Sequence, residues 1–117
     1  MPNPAQPTNP AQQALAQLQK YYFYLNDNFD SLMAKCTTDD QRAALKTEFI
    51  VARDAYLKAQ NQALADNDGV LAGMTKQLGD LQSQIKAAIA SAQSITKILQ
   101  TVATASGVAA KIVTVGT

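Results

Sequence analysis

The chain has 117 residues, enough for one domain with a real core and too few for two. Ten basic and nine acidic side chains leave a net charge of +1, which gives no electrostatic footprint for nucleic acid or another polyelectrolyte. There is no histidine and a single cysteine, so the commonest general base is missing and no disulfide, zinc cluster or iron–sulfur site can form within one chain.

Charged residues make up 16% of the chain, well under the roughly 25% usual for soluble domains. Their distribution says more than their number. Every acid lies between Asp27 and Asp80, and after Lys86 the only charges are Lys97 and Lys111. A surface so poor in charge does little to keep a protein monomeric.

Residues 1–9 form a Pro/Asn/Gln-rich tail, and all four prolines of the protein fall within the first ten positions. Such a composition reads as an extended segment. It lacks the basic and apolar regions of a secretory signal, and no run of about eighteen apolar residues suggests a conventional transmembrane helix. The expectation is a cytoplasmic protein, with export by a route that needs no cleaved signal as the alternative. Residues 10–117 read as a single helical-bundle domain.

Asn9-Pro10-Ala11-Gln12 has the form of a helix start: an asparagine N-cap, a proline in the first turn and a glutamine three residues on. Leu15, Leu18, Tyr22, Leu25, Phe29, Leu32 and Cys36 then recur in three–four alternation, which predicts a helix over about 10–36. The tract Tyr21-Tyr22-Phe23-Tyr24 carries four of the seven aromatics. The seam takes only part of it, which puts Tyr21 and Tyr24 at the flanks with wet hydroxyls, available for partner contact.

Thr38-Asp39-Asp40-Gln41 is a second start, with the acids suited to the positive end of a helix dipole. Leu45, Phe49, Ala52, Tyr56, Ala59 and Ala63 give a helix over about 39–65, and Ile50, Leu57 and Leu64 widen its apolar face. The short link forces an antiparallel hairpin.

After the turn formers Asp66-Asn67-Asp68-Gly69, the longest pattern begins. From Leu71 through Leu78, Ile85, Ala92, Leu99 and Ser106 to Val113 the three–four steps never slip. This predicts one coiled-coil-like helix over about 68–113, roughly 68 Å long at about 1.5 Å per residue. The fold expected is therefore all-α, an antiparallel bundle of three helices whose long third helix outruns its partners. The alternative is a four-helix up-down bundle with a break near Gln93-Ser94, Ser94 serving as N-cap. Gly107 is expected to loosen the helix, and the β-branched end from Lys111 to fray.

Candidate chemistry is sparse. Asp66-Asn67-Asp68-Gly69 echoes a calcium loop, but the first and twelfth loop positions would be Leu64 and Thr75, neither of which is a carboxylate. Asp27, Asp30, Asp39 and Asp40 cluster about the first turn, where the dipole accounts for the last two without catalysis. Cys36 has no histidine to activate it and reads as a small hydrophobe. No glycine-rich phosphate loop, cofactor motif or metal set is present.

The expected function is therefore non-enzymatic: self-assembly or protein–protein interaction through the C-terminal helix, using Ile95, Ile98, Leu99, Val102, Val108, Ile112 and Val113. The partner is a second copy or another protein, and nucleic acid is not expected. One alternative is a membrane-active protein, like a pore-former subunit, whose segment 95–116 engages lipid, its lysines favouring an anionic surface. Another is a small adaptor or immunity-type protein that binds one partner through the hairpin of helices 1 and 2.

Overall fold

The computed structural model describes residues 9–62, 64–65 and 69–116, and all regular structure among them is helical. Four helices follow in order: α1 (Pro10–Lys35), α2 (Asp39–Asn61), α3 (Val70–Ala90) and α4 (Ile95–Gly116). Residues 1–8 of the tail, Ala63, and the Asp66–Asp68 part of the turn read above as resembling a calcium loop lie outside the described residues.

Helix starts follow local chemistry. Asn9 is an extended N-cap whose side chain accepts from the Ala11 N–H at 2.8 Å, leaving Gln12 uninvolved, and Pro10 opens α1 where its missing N–H costs nothing. At α2 the Thr38 hydroxyl accepts from the Gln41 N–H at 3.1 Å. Gln41 reaches back to accept from the backbone of Thr37 at 2.7 Å and Thr38 at 3.3 Å. This reciprocal box satisfies donors that would otherwise be orphaned and stabilises the helix by about 1 kcal/mol.

The long third helix is not continuous. α3 ends at Ala90, and Ala92 adopts a left-handed φ of 55°. The Gln93 N–H donates to the Ala88 carbonyl at 3.0 Å and the Ala92 N–H to the Ile89 carbonyl at 3.1 Å. This six-to-one, five-to-two pair is a Schellman stop, with alanine in the place glycine usually holds. Ser94 then caps α4, its hydroxyl accepting from the Lys97 N–H at 3.3 Å. The turn between the helices is of a length that preserves the three–four phase, so the apolar pattern passes through a reversal of the chain.

The four helices pack as two hairpins, α1–α2 and α3–α4. α1 also packs on α3 and α2 on α4, while among the described residues α2 and α3 do not approach each other. Gln17, Lys20 and Tyr24 run beside Gly79, Gln82 and Lys86 in the same sense, so α1 and α3 are parallel neighbours. Asp40 and Ala44 lie beside Thr96 and Leu99, and Ala55 and Lys58 beside Val113 and Thr114, so α2 and α4 are parallel too. Chain directions alternate, but the order around the bundle is α1, α2, α4, α3, and the α2–α3 connection crosses a diagonal.

Leu64 and Ala65, between α2 and α3, lie against the end of α4. α2 stops at Asn61, short of the expected 65, because Leu64 turns inward and is buried. The Ala65 N–H donates to the Gly116 carbonyl at 2.8 Å, satisfying one of the orphan carbonyls at the end of α4. Thus α4 does not fray after Lys111 but stays helical to Gly116, its Ile112 and Val113 being buried. Nor does Gly107 end the helix; it sits on the exposed side.

Candidate interaction surface

α4 is the helix most enclosed by its neighbours. Ile98, Val102 and Ile112 are fully buried, Val108 and Val113 nearly so, and Ile95 and Leu99 partly, all against this chain's own helices. The residues expected at an assembly interface are therefore occupied in the fold. With α4 folded back, α2 and α3 cover the seam that a continuous helix would have left bare.

One polar contact locks α4 in place. The Tyr21 hydroxyl lies 2.7 Å from Ser106 Oγ and donates to the Val102 carbonyl at 3.1 Å, while Ser106 donates to the Glu48 carbonyl at 3.2 Å. Three helices meet at this point, and no buried side-chain N or O atom among the described residues lacks a partner. Burial pushes the Tyr21 hydroxyl well above the ordinary tyrosine range, with the Ser106 bond opposing and Glu48 adding to the shift. Desolvation likewise raises the half-buried Glu48, against a lowering hydrogen bond from Ser106. Tyr21 is thus not a flanking residue with a wet hydroxyl but a core residue. α1 faces two neighbours, and its inward stripe (Ala14, Leu18, Tyr21, Leu25, Leu32) is rotated from the three–four series by the contact with α3. Tyr24 stays partly exposed beside Lys20 and Lys86 in the α1–α3 groove, its hydroxyl raised by partial burial.

The face left open is the outside of the α1–α2 hairpin. Behind it five rings form a chain between the helices, Tyr56 buried, Tyr22, Phe29 and Phe49 partly buried, and Phe23 exposed. Phe29 packs on Phe49 with centroids 5.1 Å apart, Phe49 on Tyr22 at 5.6 Å, Tyr22 on Tyr56 at 5.8 Å, and Tyr56 on Phe23 at 6.0 Å. Phe23 is 47% exposed, and Ile50 and Leu57 are 44% and 43% exposed. These are three of the four large apolar side chains most open to solvent among the described residues, and all three project from this hairpin. Scattered apolar exposure is ordinary, but three open apolar side chains on one hairpin, backed by partly buried rings, have the composition of a protein-binding patch.

The sequence placed Tyr22, Phe29, Phe49 and Tyr56 on inward seams, and Tyr56 is indeed buried in the core with the other three partly buried against it, so that Phe23 alone of the five rings stands open. A signal for the open face was present too. Phe23, Ile50 and Leu57 are apolar residues off the three–four series, and off-series apolar residues on two neighbouring helices mark a second face.

The remaining candidates resolve into structural roles. Cys36 is buried, its thiol donating to the Leu32 carbonyl at 3.4 Å. Asp39 pairs with Arg42 at 2.8 Å, and that hydrogen bond together with the guanidinium charge lowers its carboxyl. Asp27, Asp30 and Asp40 are exposed. Among the described residues, no group of three His, Cys, Asp or Glu side chains is placed to hold a metal ion. Comparison with protein-family models, curated proteins and solved structures finds no match to this chain.

Proposed function

We propose that this is a non-catalytic interaction module that docks a protein partner through the outer face of the α1–α2 hairpin. The observation that carries the reading is the exposure of Phe23, Ile50 and Leu57 on one hairpin, over the partly buried chain of rings from Phe29 to Tyr56. Rigid rings lose little entropy on binding, so such a face is suited to hold a partner. In this reading the three–four seam of α4 serves coiled-coil-like packing inside the chain rather than assembly. The test is a photo-crosslinking side chain placed at Phe23 and, as a control, at exposed Ser83 on α3, in cells producing the protein. A discrete protein adduct from position 23 and none from 83 supports the reading; equal yields, or none, sink it.

A second reading has one observation in its favour. α4 is 22 residues long and apolar enough to cross a membrane, with half of its most apolar window buried in the bundle, and its only charges are Lys97 and Lys111. Engagement of an anionic bilayer would require α4 to leave α2 and α3 and to break the Tyr21–Ser106 contact. Co-flotation with vesicles containing phosphatidylserine tests it, and a protein that stays with the soluble fraction rules it out.

A further inference from the structure

The charges that border the α1–α2 face are arranged to meet their own copy. Phe23, Asp27 and Asp30 share one stripe of α1, at spacings of four and three, and Lys20, three residues before Phe23 and level with Arg53, lies towards the α1–α3 groove. Lys46, Ile50, Arg53 and Leu57 share one stripe of α2, at four, three and four. In the half nearer the turn, one edge of the face is therefore acidic and the other basic. Among the described residues Asp27, Asp30 and Lys46 form no ion pair, while Arg53 has only a 3.6 Å contact with its neighbour Asp54. Asp39, at the top of the α2 stripe, is already held by Arg42.

Register strengthens the match. In an antiparallel hairpin, residues equally far from the turn stand at the same height. Phe23 and Ile50 are equally far from the turn centred between Cys36 and Thr37, and so are Asp27 and Lys46. A two-fold axis parallel to the helices preserves height and sets α1 of one copy against α2 of the other. It places Phe23 against Ile50 and Asp27 against Lys46, twice over. A two-fold axis across the helices would instead set α1 against α1 and α2 against α2, so that the acidic stripe would not meet the basic one.

We infer that the partner of the α1–α2 face is a second copy of this chain, joined about a two-fold axis parallel to the hairpin, with Phe23 on Ile50 and Asp27 on Lys46. This inference rests on the docking face proposed above. A hairpin face about 35 Å long and two helices wide buries roughly 1,200 Å² in all, the lower edge of the range for stable complexes. The dimer is accordingly concentration-dependent. A closed two-fold contact also explains how an apolar face can exist without open-ended assembly.

The experiment is light scattering and sedimentation of the full-length protein and of two charge-reversed variants, Asp27→Lys/Asp30→Lys and Lys46→Glu/Arg53→Glu. The wild type is expected to pass from monomer to dimer as concentration rises. Each variant alone sets like charges together, so its mass should fall by half under the same conditions. An equimolar mixture restores both sets of opposite pairs and should return to the dimer mass. Ile50→Asp, at an exposed site, should give a monomer with unchanged helical circular dichroism. A wild type that stays monomeric at millimolar concentration overturns the inference, as does a mixture that remains monomeric or a charge-reversed variant that still dimerises. If the monomer nevertheless crosslinks to another protein from position 23, the docking face stands and only its occupant is wrong.

Discussion

Tyr21 and Ser106, 85 positions apart in the chain, meet hydroxyl to hydroxyl at 2.7 Å in the middle of the bundle. The contact joins α1 to α4 across the diagonal, and the Ser106 donation to Glu48 brings in α2. Removing one partner of a buried hydrogen bond costs more than the bond's net worth, because the other is left short. Tyr21→Phe is expected to destabilise by about 1–2 kcal/mol and Ser106→Ala by a similar amount. The double variant should lose less than the sum, by at least about 0.5 kcal/mol, because the two side chains share one network. Urea denaturation of the four proteins checks this; strict additivity would mean that the hydroxyls do not cooperate.

The same tyrosine predicts a limit at alkaline pH. Its hydroxyl is raised above the ordinary value of 10.0, chiefly by burial, so the folded state holds a proton that the unfolded state gives up. The stabilising contribution is complete below that ordinary value and is lost progressively as pH rises above it. Thermal melts are expected to show a steep drop in Tm above about pH 10. Tyr21→Phe should flatten that drop despite starting from a lower Tm at neutral pH. Tyr24→Phe, at a partly exposed site, should change it much less.

Ala92 is the one non-glycine residue with positive φ among the described residues, and it is exposed. A side chain in the left-handed region costs roughly 1–2 kcal/mol, while glycine there gives back some of the gain through unfolded-state entropy. Ala92→Gly is therefore expected to stabilise by about 0.5–1 kcal/mol, read as a raised urea midpoint with an unchanged m-value. A destabilised Ala92→Gly would mean that the α3–α4 turn is not a left-handed stop.

Two glycines in α4 should respond in opposite directions to alanine. A Cβ at Gly107 meets open space, so Gly107→Ala gains helix propensity and should stabilise by about 0.5–1 kcal/mol. A Cβ at Gly116 would stand 3.0 Å from Leu64 Cδ2 and 3.3 Å from its Cβ. Gly116→Ala should push Leu64 and its connection off the end of α4, costing about 1–3 kcal/mol as overpacking does. Opposite signs in thermal melts confirm the packing of Leu64; two stabilised variants would refute it.

These residues also show what can be read without coordinates. The helix starts were legible because Asn9, Pro10, Thr38 and Gln41 act locally, through bonds within a few positions. The all-helical bundle was legible because the three–four spacing has one physical meaning. The α3–α4 break was legible only as an alternative, through the local cap residue Ser94, because an alanine in a conformation that glycine usually takes leaves no mark and a phase-preserving turn leaves the apolar pattern intact. The inward Tyr21 was not legible, whereas the seam places of Tyr22, Phe29, Phe49 and Tyr56 were. A series of apolar residues identifies a face, but which of two neighbours claims it depends on helix order around the bundle. Here that order carries α3 across a diagonal to lie beside α1, a long-range fact.

The central claim is that α1–α2 presents the docking face while the rest of the bundle surface stays free. Carbene footprinting of the full-length protein, in producing cells and in dilute purified solution, tests it most directly. Val70 on α3 is 43% exposed, close to Ile50 and Leu57 in accessibility but on another helix, and serves as the internal reference. The account predicts that labelling at Phe23, Ile50 and Leu57 falls several-fold in cells while Val70 is unchanged. Unchanged labelling at Phe23 and Ile50, or protection confined to Val70 and the outer side of α3 and α4, would contradict it.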